Sequence, residues 1–93
     1  MQGLRCDYFE VIGKVQGVFF RAHTQEVAES LGVKGWVQNL SNGNVAVLAC
    51  GDDHQLDQLE EALWKGPPMA RVDDVKRERS DDDATQDSFQ IIG

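Results

Sequence analysis

The spacing of apolar residues changes period several times along the chain, and the order of those changes leaves few folds open. From Cys6 to Lys14 the residues alternate, with Phe9 and Val11 on one face and Tyr8 and Ile12 on the other, the mark of a strand. From Phe20 or Arg21 to Leu31 the spacing turns helical: Val27, Ala28 and Leu31 form a stripe above Thr24, and Gly32 is a natural stop. Two further strand-like runs, Gly35 to Leu40 and Asn44 to Cys50, flank Ser41-Asn42-Gly43. Asn-Gly is a strong hairpin signal because both residues tolerate positive φ. Asp53 is placed to cap a second helix from about His54 to Lys65, with Leu56, Leu59 and Leu63 facing inward and Gly66-Pro67-Pro68 ending it. Ala70 to Ser80 reads as a charged strand with Val72 and Val75 as its apolar positions, suited to an edge or open face, and Phe89-Gln90-Ile91 as a short closing strand.

The order is therefore β-α-β-β-α-β with a short extra strand. Two helices must cover one face of a mostly antiparallel sheet, which is an α+β chain of the ferredoxin-like sandwich class. In that topology the third strand lies antiparallel between the first and the second. Residues 1–93 make one domain, enough to bury about 60–65% of the surface of the unfolded chain. If strands one and three pair so that residue numbers sum to 56, Cys6 faces Cys50 and Tyr8 faces Leu48, both on the face away from the helices. A disulfide between Cys6 and Cys50 and a pair of free thiols both remain open, since a reducing cytosol opposes the bond.

Charge narrows the partners. The formal net charge is −7, from 9 Lys and Arg against 16 Asp and Glu. Such a surface repels nucleic acid and anionic lipid, so neither a nucleic acid nor a membrane is expected as partner. No apolar run approaches the ~18 residues of a membrane span and no signal-like segment opens the chain, so a cytoplasmic location is the default. Much of the acid lies between Asp73 and Asp87; Asp81-Asp82-Asp83 lacks the alternation and glycine of a calcium loop and reads as a solvated acidic loop.

Against that background one stretch suits an anion. Gly13-Lys14-Val15-Gln16-Gly17-Val18-Phe19-Phe20-Arg21 joins the first strand to the first helix. Its glycines let the backbone turn tightly, its successive N–H groups can form a concave nest at the helix N-terminus, and Arg21 can grip two phosphoryl oxygens at once. The spacing is neither that of a nucleotide-hydrolase phosphate loop nor that of a dinucleotide fingerprint. By itself it also fits a plain turn followed by a solvated arginine. Asn39 gains interest from the sheet order, because parallel strands one and two would bring it to the edge where Arg21 emerges. Its amide could hold a water there, or cap backbone groups ahead of the hairpin. His23 and His54 have no carboxylate or Cys in ligand spacing, so no metal is expected, and Trp36 and Trp64 suit packing.

The stretch Gly13 to Arg21, together with Gly35-Trp36-Val37-Gln38-Asn39 and the following Gly43, Val45 and Gly51, resembles the two signature segments of acylphosphatases, and the resemblance spans almost the whole chain. It implies hydrolysis of a small acyl phosphate without cofactor or metal. It further implies that Arg21 binds the phosphate with loop groups of Gln16, Gly17, Val18, Phe19 and Phe20, while Asn39 positions the attacking water. Inorganic phosphate or sulfate is then a fitting ligand, and a monomer is expected. Two positions depart from the family pattern: Leu40 stands where a threonine is frequent, and the tail Phe89 to Gly93 lacks an arginine. A non-catalytic anion-binding domain on the same scaffold is the alternative. An RNA-recognition domain shares the element order, but would carry basic residues where this chain has acid.

Overall fold

Phe9 and Val11 are fully buried while Tyr8 and Ile12 beside them are not, so the alternation of the first strand sets an inner and an outer sheet face. In the computed structural model, which describes residues 4–81 and 87–93, the elements are β1 (Arg5–Lys14), α1 (Phe20–Leu31), β2 (Lys34–Asn39), β3 (Val45–Gly51), α2 (Asp53–Lys65), β4 (Arg71–Ser80) and β5 (Phe89–Ile91). The strands lie in the order β4-β1-β3-β2-β5. Both helices cover one face: Phe20 and Ala28 of α1 and Leu56, Leu59 and Leu63 of α2 join Phe9, Val11, Val37, Val45 and Val47 in a single core. This is the expected ferredoxin-like sandwich, with a fifth strand added parallel to β2.

The central register is the expected one. Cys6 pairs with Cys50 and Tyr8 with Leu48, and Cys6 and Cys50 are joined as a disulfide. On this outer face Leu48 lies opposite Tyr8 on one side and Trp36 on the other, and is only 2% exposed. The Tyr8 and Trp36 rings meet edge to face at 6.4 Å. β4 holds the other edge, where its charged residues guard against strand addition.

Two local readings need correction. The N-cap of α2 is Asp52, not Asp53: its carboxylate accepts from the Gln55 N–H at 2.8 Å, and Gln55 Oε1 accepts in return from the Asp52 N–H at 2.9 Å. A capping box needs its two side chains three residues apart, and Gln55 provides that partner to Asp52. The β2–β3 turn takes positive φ at Gly43 alone, with the Gly43 N–H donating to Leu40 O and the Leu40 N–H to Asn44 O, as in a three-residue hairpin loop. Of the acidic run, only Asp81 falls within the described residues, where it is exposed; Asp82 and Asp83 lie outside them. No helix among the described residues is long and apolar enough to cross a membrane.

An ion network centred on one buried carboxylate ties α2 to the sheet. Asp7, 2% exposed, accepts from Arg77 Nε at 2.7 Å, and Arg77 Nη1 reaches Asp57 and Glu60 of α2. Burial opposes the charged guanidinium, yet hydrogen bonds to Glu60, Asp7 and Asp57 outweigh it and hold the Arg77 pKa above the ordinary arginine value.

The strand end that feeds the site is shaped by a bulge. The β1–β4 register shifts between Ile12 and Gly13, and Gly13 has φ 140°. A Cβ there would collide with the Arg71 carbonyl and lie 2.9 Å from the Asp73 nitrogen. Gly13→Ala is therefore expected to lower stability by about 2–3 kcal/mol. Gly43→Ala, at φ 94° but with nothing within 4 Å of the added carbon, should lower it by about 1 kcal/mol. Urea unfolding of the two variants checks the ranking, and equal losses would contradict the bulge argument.

Candidate active site

The loop between β1 and α1 is strained and undersupplied with acceptors. Gly17 has φ 76°, and Phe19, the N-cap of α1, sits in the left-handed region at φ 66°, ψ 23° although it carries a full side chain. Phe19 alone among the described non-glycine residues has positive φ, and the residue is 77% exposed, so burial of its side chain does not account for the strain. Its neighbours do the anchoring: Val15, Val18 and Phe20 are buried in the core. Gln16 fastens the loop to the β2–β3 hairpin, donating from Nε2 to Leu40 O at 2.8 Å and to Asn44 O at 2.9 Å.

This arrangement leaves donors without acceptors. Among the described residues, no protein acceptor takes the N–H groups from Gln16 to Ala22, and the first bond of α1 is His23 N–H to Phe19 O at 3.0 Å. The contrast with α2 is informative, since there a capping box supplies the acceptors. An uncapped helix start preceded by alternating left-handed residues has the backbone geometry of an anion nest.

Arg21, in the first turn of α1, and Asn39, the last residue of β2, are brought together by one oxygen. Gly93 O accepts from Arg21 Nη1 and also from the Asn39 N–H, the latter at 3.3 Å. The segment after β5 reaches this point because Ile92 N–H continues the pairing with Val37 O. Gly17, Phe19, Phe20, Arg21, Asn39 and Ile91 line a single cavity of about 350 Å³. Asn39 Oδ1 is buried and takes no protein donor, and no Asp or Glu side chain among the described residues pairs with Arg21. Among the described residues no group of three or more His, Cys, Asp or Glu is disposed to hold a metal ion.

The family model for Acylphosphatase matches residues 8–91, from β1 through β5. The chain belongs to the acylphosphatase family. An acylphosphatase of Halorhodospira halophila is 53% identical over 74 residues, covering 80% of each chain. One from Coxiella burnetii is 49% identical over 73 residues, covering 78% of this chain and 77% of its own. The solved structure of an acylphosphatase from Coxiella burnetii superposes with a TM-score of 0.90 at 41% identity, covering 98% of this chain and 95% of that one.

Within this acylphosphatase-family chain, the residues singled out from sequence divide by atom. Gly17, Phe19, Phe20, Arg21 and Asn39 line the cavity, whereas Gln16 has its side-chain amide committed to the hairpin and Val18 points its side chain into the core. Neither of those two residues lines the cavity. Leu40, the departure from the family pattern, serves through its carbonyl and N–H. Sequence reasoning missed Ile91 and Gly93. Nothing local marks either, since both arrive through the parallel pairing of β5 with β2. On the outer face burial, then Glu10 and Glu78, raise the Tyr8 phenol above its ordinary pKa, and Lys76 pairs opposite Glu10.

Proposed function

We propose that the chain hydrolyses the carboxyl-phosphate anhydride of small acyl phosphates, releasing a carboxylate and inorganic phosphate, without a metal or other cofactor. The observation that carries the proposal is the shared Gly93 oxygen, which holds Arg21 and Asn39 side by side at a nest of N–H groups. With Nη1 directed to Gly93, Arg21 retains Nε and Nη2, an edge suited to two phosphoryl oxygens. The free N–H groups of Gln16 to Ala22 surround the phosphoryl group and spread its charge as the P–O bond loosens.

The leaving group asks little of the protein. A carboxylate is a weak base and departs without a proton, so no general acid is needed. Asn39, its carboxamide unclaimed by protein donors, orients the water for in-line attack. An amide is no base, so a phosphoryl oxygen of the substrate takes the proton of the water. Inorganic phosphate and sulfate fit the same nest as product and inhibitor.

Benzoyl phosphate hydrolysis, followed by the loss of its ultraviolet absorbance with and without EDTA, tests the proposal. Turnover is expected and should not change with the chelator. Failure of the intact protein to hydrolyse benzoyl or acetyl phosphate would favour the non-catalytic anion-binding alternative, and loss of rate in EDTA would refute metal independence.

A further inference from the structure

A second hollow adjoins the phosphoryl cavity. It has a volume of about 450 Å³ and is lined by Phe19, Ala22, His23, Glu26, Glu29 and Pro67, among others. Phe19 and Ala22 line both spaces, whereas Asn39 and Ile91 line only the first. We propose that the acyl group of the substrate occupies this second hollow, and that Glu26 and Glu29 on its rim select acyl phosphates whose acyl group is apolar and carries no negative charge. The inference rests on the hydrolase reading above and adds the substrate class.

In-line displacement decides which side the acyl group takes. The attacking water and the departing carboxylate must lie on opposite sides of phosphorus. With the water at Asn39, the leaving group points away from β2 and β5, across Phe19 and Ala22, toward the hollow that Asn39 does not line. Phe19, a residue 77% exposed at a backbone position strained for a side-chain-bearing residue, offers an apolar surface at the boundary between the two spaces. Pro67, which is buried, lines the same hollow.

The polar groups around the hollow are unequal. Gln25 donates its amide to Phe89 O at 3.0 Å, and the His23 ring meets the Phe20 ring edge to face at 6.4 Å. Glu26 and Glu29 are exposed, lie one helical turn apart on α1, and take no basic partner among the described residues. Arg21 lines the first cavity and not the second, so it does not offset them there. An acyl group ending in a carboxylate would meet both negative charges, and one ending in a methyl or aryl group would meet neither.

The test compares 4-methylbenzoyl phosphate with 4-carboxybenzoyl phosphate, which differ mainly in charge at the far end of the ring, and uses acetyl phosphate as a third substrate. The wild-type chain should show kcat/KM about tenfold lower for the carboxylate-bearing compound at low salt. That gap should narrow to about twofold in the double variant Glu26→Gln, Glu29→Gln, and also in the wild type as ionic strength rises toward about 1 M. Salt also screens the net charge of −7, so narrowing by salt without narrowing in the double variant overturns the role of Glu26 and Glu29, and the single variants Glu26→Gln and Glu29→Gln serve where the double variant folds poorly. Turnover of all three compounds with a gap that neither the substitutions nor salt alter overturns the assignment of the acyl hollow alone. No turnover of any of them, acetyl phosphate included, overturns the hydrolase reading and this assignment with it.

Discussion

Arg21→Lys should lower kcat/KM for benzoyl phosphate by about 10³-fold, nearly as far as Arg21→Ala, although it keeps the charge. The reason lies in how the guanidinium is divided. One nitrogen faces Gly93 O, which the Asn39 N–H also approaches, so the planar group is held in orientation while its other edge stays free. A lysine ammonium has three donors on a flexible stem. It can meet Gly93 or a phosphoryl oxygen, but it cannot hold two phosphoryl oxygens in one plane. Affinity for inorganic phosphate should fall in both variants, since the proposed clamp acts on the bound phosphoryl group before, during and after transfer. Steady-state kinetics with benzoyl phosphate, combined with calorimetric titration of phosphate, checks both parts. A lysine variant within tenfold of wild type would mean that charge alone suffices and that the two-oxygen grip is wrong.

Much of this could be read in the sequence where the determinants are local. The alternation around Phe9 and Val11 set the faces of β1, the leucines at 56, 59 and 63 set the inner face of α2, and pairing by a sum of 56 matched Cys6 to Cys50. Gly13 and Gly17 marked the tight β1–α1 connection, and Arg21 its candidate anion group, because a turn of that kind needs glycine before it needs anything else.

What escaped was decided by partners far along the chain. Phe19 in a left-handed conformation contradicts its own propensity, and only the anchoring of its neighbours Val18 and Phe20 in the core enforces it. Gln16 looked like a loop donor, yet its amide spans to Leu40 and Asn44, a contact that exists only once the hairpin is packed against the loop. Gly93 arrives beside Arg21 through β5, a strand of only three residues whose parallel place at the sheet edge no short-range pattern encodes. The α2 cap was missed by one residue because Asp52 and Asp53 are equally good candidates until Gln55 selects between them.

Asn39→Ala should separate chemistry from binding: kcat for benzoyl phosphate is expected to fall by about 10²–10³-fold while phosphate affinity stays within about threefold of wild type. The separation follows from position. Asn39 ends β2 and reaches the cavity from the sheet, whereas the nest and the guanidinium belong to the β1–α1 loop and the first turn of α1. Its main-chain N–H, which also approaches Gly93 O, survives the substitution, so the alignment of Arg21 should survive with it. Its Oδ1 takes no protein donor, so truncation strands no buried partner and stability should fall by less than about 1 kcal/mol. Loss of phosphate affinity in step with kcat would place Asn39 among the groups that hold the phosphoryl oxygens. An unchanged kcat would leave the water without a positioning residue at this end of β2, and the in-line geometry that directs the acyl group across Phe19 would lose its reference point as well.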